Sequence, residues 1–348
     1  MKNNQEIIKD LQGTASEILD GLIPPESTVL LLDYPNYSNV GDSLIWLGEV
    51  AYLRSRNLKP AYVCDLENYQ PKAIDAVINH PKSKNPIILM QGGGNFGTLW
   101  PAVQAFRKKV LRDFSGIRTI QLPQSLYFDN KTEIRETARL IDHHGAFTLL
   151  TRDHPSHAFA QEHFNCDVRL CPDMAFFIGP LQSRLKAPFD RYILSRSDHE
   201  KSFDWLGAFP SETDQLTIDQ GDWLEQGLQE RILNRLQRHT VGPRLILDPY
   251  NRTLFQLWNL LARYRLSRGQ TQLERGRVVI SDRLHVHILC TLLDKPHVLI
   301  DNSYGKISSL HKAWTHAYAG VRFASSLSEA LIAARDLESY PDENPVYA

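Results

Sequence analysis

Four ionisable side chains lie between an apolar strand and the apolar side of a helix in the segment RVVISDRLHVHILCTLL. They are Asp282, Arg283, His285 and His287, and burying such groups without partners costs free energy. Arginine binds phosphate and carboxylate groups through paired hydrogen bonds, and histidine titrates near neutral pH. The segment is therefore a candidate anion site in which His285 could move a proton. We expect His287 to be structural, and Asp282 to pair with Arg283 or with the helix N-terminus.

A second arginine occupies the same kind of position earlier in the chain. In LLTRDHPSHAF, Arg152 follows an apolar strand and Asp153 lies at the start of a helix. A helix N-terminus already carries positive partial charge, so an arginine beside it makes an anion site. The alternative is an ordinary ion pair between Arg152 and Asp153 at a solvent-exposed edge. If two sheets face one cleft, Arg152 and Arg283 could converge on a small molecule that carries a phosphate and a carboxylate.

Two further loops carry polar side chains directly after apolar strands. In YPNYSNVGDSLI, Asn39 and Gly41 favour a turn, and Asp42 is either the N-cap of the next helix or a ligand-binding residue. The number of polar side chains in this loop favours ligand binding. In LIDNSYGKISS, Lys306 is either a solvated lysine or an additional positive charge beside Arg283.

The segment MQGGGNFGTLWP contains the glycine spacing of a dinucleotide-binding loop. Gly92, Gly94 and Gly97 match the pattern GxGxxG after a strand. Such a loop requires an acidic residue at the end of the next strand, to hold a ribose. That strand, RTIQLPQS, ends in Gln124 and Ser125 instead. The sequence therefore argues against a nicotinamide or flavin site and favours a glycine-rich loop that lets a substrate approach the backbone.

Short apolar runs alternate with helical patterns along the chain, as in proteins built from parallel strands and covering helices. The 348 residues exceed the size of one ordinary core. We predict the α/β class, with two Rossmann-like doubly wound domains that face a cleft. The predicted parts are an N-terminal helix (1–26), a first domain (27–182), a second domain (183–325) and a C-terminal helix and tail (326–348). The predicted elements include helices over 42–56 and 222–239 and a strand over 244–249.

The composition excludes several classes of protein. The chain is 42% hydrophobic and 23% charged, which is typical of a soluble globular protein. With 39 basic and 40 acidic residues the net charge is −1, so no overall field attracts nucleic acid. We find no signal peptide and no apolar run long enough to span a bilayer, and we expect a cytoplasmic protein. We expect free thiols at the four cysteines, which lack CxxC spacing: Cys64, Cys166, Cys171 and Cys290.

Taken in order, the segments SNVGDSLI, QGGGNFG, TRDHPS, CPDMAF, SDRLHVH and DNSYGK resemble the polysaccharide pyruvyl transferase family. The likeness covers most of the chain. The resemblance implies a GT-B-like fold, with the acceptor on the first domain and the donor on the second. It also implies transfer of pyruvate from phosphoenolpyruvate onto two hydroxyls of a sugar, as a cyclic ketal, during exopolysaccharide or cell-surface polysaccharide synthesis. No metal and no cofactor are required, because phosphoenolpyruvate is a co-substrate.

The resemblance also suggests roles for individual residues. We expect His285 to donate a proton, and Asp42 or Asp173 to act as the base. The expected phosphoenolpyruvate ligands are Arg152, Arg283, Leu284, His285 and Lys306. The expected acceptor-binding residues are Asn39, Gly41, Asp42, Gly93, Gly94 and Asn95.

The resemblance implies a lipid-linked oligosaccharide repeat unit as acceptor, at the inner face of the membrane. The segment LWPAVQAFRKKVLRD could rest on anionic headgroups, but the small number of charges favours a solvated basic helix face. Because fold does not fix function, two other functions stay open. One is a GT-B-like glycosyltransferase that uses a nucleotide sugar. The other is a non-catalytic protein that binds glycan.

Overall fold

Two parallel β-sheets form the framework of the protein. A computed structural model of the chain describes residues 2–195, 216–223, 231–232, 235, 248–301 and 305–340. The first sheet has the order β2-β1-β3-β5-β6-β7, with β4 paired to β5, and the second has the order β12-β11-β10-β8-β9. The strands are β1 Val29–Leu32, β2 Pro60–Cys64, β3 Ile87–Met90, β4 Gly93–Gly97, β5 Thr119–Tyr127, β6 Phe147–Thr151, β7 Asp167–Leu170, β8 Phe189–Leu194, β9 Ile218–Gly221, β10 Gly276–Ser281, β11 His297–Ile300 and β12 Val321–Ala324.

Helices cover these sheets, and several begin at a polar side chain that caps the first turn. Asn3 and Glu6 form a capping box at α1, and Asn130 caps α5, which ends at Gly145 in the left-handed conformation. The helices are α1 Asn4–Asp20, α2 Val40–Ser55, α3 Pro71–Ile78, α4 Pro101–Asp113, α5 Lys131–His144, α6 His154–His163, α7 Asp248–Leu273, α8 Leu284–Leu292, α9 Lys306–Leu310 and α10 Leu327–Asp336, with a 3-10 helix at Met174–Ile178 and a π-helix at His311–Thr315.

The central strands of the first sheet are buried on both faces. All four residues of β1 and all four of β3 are buried. Leu31 and Leu89 face a core that contains Trp46 of α2, whereas Leu30 and Ile88 face a second core beneath α3 and α4. Burial on both faces explains why these strands are continuous apolar runs in the sequence.

Helix α7 follows β9 in the chain but packs against elements of the first sheet. Trp258 of α7 stacks on Tyr34 at a centroid distance of 4.3 Å. The amide side chain of Asn251 donates to the carbonyl oxygen of Val63 at 3.1 Å and accepts from its amide at 3.0 Å. The helix thereby covers the edge strand β2 and holds the chain between β1 and α2.

The structure confirms the α/β class with Rossmann-like parallel sheets. The two-domain division at residues 1–26, 27–182, 183–325 and 326–348, and the cleft, stay predictions. The free thiols are confirmed at all four cysteines. Within the described residues, no helix is both long and apolar enough to cross a membrane.

Three predicted elements differ from the structure. The glycine-rich loop is in fact strand β4, which pairs in parallel with β5. The helix predicted over 42–56 begins at Val40, with Asn39 as its cap. Residues 244–247 of the predicted strand 244–249, and most of the predicted helix 222–239, lie outside the described residues. The last two residues of that predicted strand, 248 and 249, are already part of α7.

Candidate active site

Arg152 and Asp173 form a buried ion pair at the carboxyl edge of the first sheet. Arg152 follows β6, and its Nη1 atom is 2.6 Å from Asp173 Oδ2. Arg152 Nε also donates to Ser125 Oγ at 3.0 Å. An exposed pair between Arg152 and Asp153 is therefore wrong. Asp153 instead caps α6, where its Oδ1 accepts from the amide of Ser156 at 2.8 Å.

His285 joins this ion pair from the second sheet. It lies in the first turn of α8, and its Nε2 atom is 3.5 Å from Arg152 Nη1 and 3.7 Å from Asp173 Oδ2. We call Arg152, Asp173 and His285 the Arg–Asp–His cluster. The cluster joins the two sheets, because its first two members belong to the first sheet and His285 follows β10 of the second. Loops far apart in sequence thus meet at one point.

The carboxyl group of Asp173 is held in its ionised form. Burial alone would raise its pKa, but the His285 imidazole and the Arg152 guanidinium outweigh burial and hold the pKa well below its usual range. Asp173 Oδ1 also accepts from the amide of Ala175 and caps the 3-10 helix. A carboxylate with these partners is a weak proton acceptor. The geometry therefore does not support Asp173 as the base and makes it the residue that positions Arg152 and His285.

Gly41 touches the imidazole ring of His285. A Cβ atom on Gly41 would lie 2.5 Å from His285 Nδ1, a distance that no real side chain could adopt without displacing the ring. Asn39 Oδ1 accepts from the amide of Gly41 at 2.9 Å and caps α2. The N-terminus of α2 thus packs directly on His285. Because Asn39 caps the helix, the prediction that Asp42 serves only as its N-cap is wrong.

The loop that leads into α2 is held by two arginines of α7. Arg265 Nη1 donates to the carbonyl oxygen of Pro35 at 3.0 Å, and Arg268 Nη2 donates to that of Ser38 at 2.6 Å. Both bonds fix backbone rather than side chains. This support sets the position from which Gly41 reaches His285.

Asp42 lies against the glycine-rich strand β4. A Cβ atom on Gly93 would be 3.7 Å from Asp42 Oδ1, and Gln91 Nε2 donates to the backbone oxygen of Asp42 at 3.1 Å. Asp42 is partly exposed. Its carboxylate is thereby available at the surface beside β4, which keeps ligand binding as its predicted role.

Gly94 brings the backbone of β4 against two cationic side chains. A Cβ atom at this position would be 3.0 Å from Arg152 Nη2 and 3.9 Å from Lys306 Nζ. Lys306 is the first residue of α9. The structure therefore places the additional positive charge of Lys306 beside Arg152, whereas the sequence suggested Arg283 as its neighbour.

Arg107 is a buried arginine that sequence reasoning placed on a basic helix face. It is fully buried, and its Nε atom donates to Gln121 Oε1 at 2.7 Å. Asn95 Oδ1 accepts from Arg107 Nη2 at 2.9 Å and from Gln124 Nε2 at 3.0 Å. Burial lowers the pKa of Arg107 to about 10, opposed by the charge of Asp33. The predicted acceptor ligand Asn95 thus already uses its side-chain oxygen to hold Arg107.

The other basic residues of α4 are largely engaged as well. Lys108 pairs with Glu133 at 2.8 Å and with Glu136 at 3.2 Å, and Lys109 pairs with Asp113 at 2.8 Å. With Arg107 buried beneath them, these contacts leave little free positive charge on the helix. They favour a solvated helix face over a membrane-binding one.

Arg283 forms its ion pair outside the Arg–Asp–His cluster. It pairs with Asp222, which follows β9, and both side chains are largely buried. The sequence suggested Asp282 as the partner. Leu284 packs in the core between the second sheet and α2, with Val40 and Leu44. The structure therefore does not bring Arg283 to Arg152 through any contact among the described residues.

The chain matches a known protein family over most of its length. The model of the polysaccharide pyruvyl transferase family matches residues 39–304, beginning at the cap of α2. The chain belongs to the polysaccharide pyruvyl transferase family. Among similar proteins is EpsO of Bacillus subtilis, which carries the name putative pyruvyl transferase. It is 29% identical over 92% of the chain and 95% of its own length.

Two further matches extend the comparison. Pyruvyl transferase 1 of Schizosaccharomyces pombe is 32% identical over 83% of the chain and 70% of its own length. The crystal structure of an uncharacterized protein from Klebsiella pneumoniae covers 91% of the chain with a TM-score of 0.57. The match also covers 99% of the Klebsiella chain. The two sequences are 17% identical, so the likeness supports the fold alone. Family and relatives identify the protein as a pyruvyl transferase of polysaccharide biosynthesis.

Proposed function

We propose that the protein transfers pyruvate from phosphoenolpyruvate onto two hydroxyls of a sugar as a cyclic ketal. The observation that carries this proposal is the Arg–Asp–His cluster, with Lys306 and the backbone of Gly94 beside it. Two cationic groups and a histidine at one sheet edge suit an anionic donor that must be both bound and protonated. Family membership supplies the pyruvyl group as the unit transferred.

The donor is bound in this proposal by cations from both sheets. Arg152 and Lys306 both lie close to the backbone of Gly94, so their charges can bind the phosphate and stabilise it as it leaves. Arg283 is the second proposed arginine ligand, for the carboxylate, and Asp222 fixes its side chain. Leu284, packed in the core, orients the turn that carries Arg283 and His285.

The reaction requires protons to move from the acceptor to the donor. His285 protonates C3 of the enol, and one sugar hydroxyl attacks C2. The C2–O bond to phosphate breaks with its electron pair on phosphate, and the second hydroxyl attacks C2. The two sugar hydroxyls lose two protons in total. One proton is gained by C3 and the other by phosphate. Asp42 is the proposed base, because its carboxylate is partly exposed beside β4.

The acceptor in this proposal lies on the side of α2 and β4. Gly94 and Asn95 are partly exposed there, and Asn39 holds Gly41 against His285. The proposed acceptor is a lipid-linked oligosaccharide repeat unit, which the cytoplasmic protein would meet at the inner face of the membrane. Phosphoenolpyruvate serves as co-substrate, and the scheme needs neither a metal nor a cofactor.

Phosphate release tests the proposal directly. The purified protein is incubated with phosphoenolpyruvate and an oligosaccharide acceptor, and we expect phosphate release together with an acceptor mass increased by pyruvate less water. The variant Arg152→Gln should lose both signals. The matched control Arg169→Gln changes an exposed arginine in β7 and should keep them. Turnover supported only by a nucleotide sugar would contradict the proposal.

Thermal stability tests donor binding separately from turnover. A ligand that binds the folded state raises the midpoint of unfolding with its concentration. We expect phosphoenolpyruvate to raise the midpoint for the native protein and much less for Arg152→Gln, measured relative to each protein alone. An unchanged midpoint at a large excess of phosphoenolpyruvate would favour a non-catalytic glycan-binding protein.

A further inference from the structure

Asp33 has an unusual backbone conformation at the carboxyl edge of the first sheet. It directly follows β1, and its φ angle is +75°, in the left-handed region that favours glycine. Asp33 is also 5% exposed. Aspartate tolerates this conformation better than most residues. The conformation still costs free energy, so the surrounding structure must hold Asp33 in it. Such positions occur preferentially where ligands bind.

The carboxyl group of Asp33 is incompletely satisfied. Its Oδ2 atom is buried and accepts no hydrogen bond from any of the described residues. Burial raises the pKa of Asp33 to about 7, opposed by Arg107 of α4 and reinforced by Asp42 of α2 and Asp65 after β2. A carboxyl group with these properties gains and loses its proton near neutral pH.

Two neighbouring acceptors share this lack of donors. Gln91 follows β3, its amide donates to the carbonyl oxygen of Leu32 at 3.1 Å, and its Oε1 atom is buried without a donor in the described part of the chain. Glu49 of α2 accepts from the amide of Gly92 at 2.8 Å, while its Oε2 atom has no such partner there. Burial also raises the pKa of Glu49, with a contribution from Asp33.

Gln91 contacts both the residue before Asp33 and the base proposed above. Gln91 binds the backbone of Asp42 through its amide nitrogen, and Asp42 contributes to the electrostatic surroundings of Asp33. Asp42 is partly exposed, whereas Asp33 is buried. Asp42 is therefore the carboxyl group that a ligand can reach, and Asp33 is the buried one.

We propose that Asp33 is a proton-holding residue of pyruvyl transfer that acts through Asp42. The inference rests on the proposed function. As the first hydroxyl oxygen bonds to C2, its proton passes to Asp42 and on to Asp33. Asp33 returns this proton through Asp42 to the departing phosphate before the next turnover, and the proton of the second hydroxyl restores His285, which has protonated C3. Asp33 is a positioning residue in this scheme, since its own carboxyl does not reach the substrate.

The variant Asp33→Asn tests this role, with Asp65→Asn as its matched control. Asparagine keeps the shape of the side chain and tolerates the left-handed conformation, but it cannot hold a proton. Asp65 occupies the corresponding position after the neighbouring strand β2, where it accepts from the Asn68 amide at 2.8 Å, from Asn68 Nδ2 at 2.6 Å and from Asn36 Nδ2 at 2.9 Å.

Opposite changes in stability and turnover distinguish the two positions. We expect Asp33→Asn to unfold at a higher temperature than the native protein, because a buried ionisable group is removed, and to turn over at least about tenfold more slowly. Asp65→Asn should unfold at a lower temperature, because a well-bonded carboxylate is lost, and keep its turnover per folded molecule. Reduced stability and turnover together for Asp33→Asn would assign Asp33 a structural role and overturn the proposal.

The pH dependence of kcat gives an independent measurement. The native protein should lose activity on the acidic side of neutrality, as Asp33 becomes protonated before each turnover, and Asp33→Asn should lack this limb while its KM for phosphoenolpyruvate stays near the native value. A retained limb in Asp33→Asn would overturn the proposal. If Asp33→Asn is insoluble, Asp33→Gly, which also relieves the backbone conformation, takes its place with the same expected outcomes. A native protein that releases no phosphate would contradict the proposed function, whereas an active one unaffected by either variant contradicts only this inference.

Discussion

His285 and His287 lie two residues apart on α8, yet their surroundings differ completely. His285 points to the first sheet, where a guanidinium and a carboxylate lie within 4 Å of its ring. His287 is fully buried on the side of α8 that faces His297 of β11 and Thr315. One side of the helix therefore presents a charged site and the other a neutral one. The contrast shows that the environment, rather than the residue type, decides which histidine can exchange protons.

The neutral side of α8 forms a directional chain of hydrogen bonds. The carbonyl oxygen of Lys295 can only accept, so His297 Nδ1 donates to it at 2.8 Å. His297 Nε2 then accepts from His287 Nδ1 at 2.8 Å, and His287 Nε2 accepts from Thr315 Oγ1 at 2.7 Å. His311 Nδ1 completes the chain by donating to Thr315 Oγ1 at 3.0 Å. This arrangement satisfies the ring nitrogens of His287 and His297 in their neutral forms, in agreement with the pKa of each, which burial lowers.

The largest expected effect comes from removing the carboxylate that holds His285. Asp173→Ala leaves the buried guanidinium of Arg152 without its partner and should destabilise the protein by about 3–5 kcal/mol. Urea unfolding measures this loss. The control Asp167→Ala breaks the exposed pair with Arg169 and should cost less than about 1 kcal/mol. Equal losses for the two variants would show that burial does not distinguish these pairs.

Exchanging each histidine for glutamine should separate the two sides of α8. His285→Gln should reduce turnover by about 10²–10⁴-fold, because a proton donor is lost, with little change in stability. His287→Gln should reduce stability by about 1–3 kcal/mol, because its buried partners lose hydrogen bonds, and keep turnover per folded molecule. Phosphate release and urea unfolding of both variants give the four values. Near-native turnover in His285→Gln would remove its role as proton donor.

Sequence patterns predicted most of the fold because its strands are local apolar runs. Strand β4 was missed, because GGNFG has no strand propensity and forms only through its pairing with β5. The positions of Arg152 and His285 just after strands were predicted correctly, because the apolar runs that precede them mark those strands. Their partnership could not be predicted, because Asp173 lies on a third loop and the two sheets must first pack together.

The charged partners of Arg152 and Arg283 could not be predicted from the neighbouring sequence. The sequence suggested adjacent residues as partners, with Asp153 as the alternative for Arg152, and Asp282 pairing with Arg283 or with the helix N-terminus. The structure uses Asp173 and Asp222, which are 21 and 61 residues away. Asp33 was hidden for a different reason, since LLLD reads as the end of an apolar strand. Its φ angle and missing donor are properties of the folded chain alone.

Gly41→Ala should impair the charged side of α8 without changing any charged residue. The added methyl group would lie 2.5 Å from His285 Nδ1, so the ring must move. A displacement of this size costs about 10²-fold in turnover. Steady-state kinetics measures it, and Gly13→Ala is the control, because a Cβ on Gly13 has no atom within 4 Å. Equal turnover of the two variants would mean that the position of His285 is not critical.

The smallest expected effect is a loss of stability in mild acid that originates on the neutral side of α8. Burial lowers the pKa of His297 from 6.5 to about 4, and it also lowers the pKa of His287. The unfolded chain therefore binds protons below pH 6.5 that the folded protein binds only near pH 4. Stability should fall by about 2 kcal/mol between pH 7 and pH 5 from His297 alone.

Urea unfolding across this pH range measures the effect, with His297→Gln for comparison. The variant should start less stable at pH 7, because the bond to His287 is weakened, but should lose less stability on going to pH 5. An identical pH slope in both proteins would show that the histidine chain is not neutral in the folded state, and would remove the contrast between the two sides of α8.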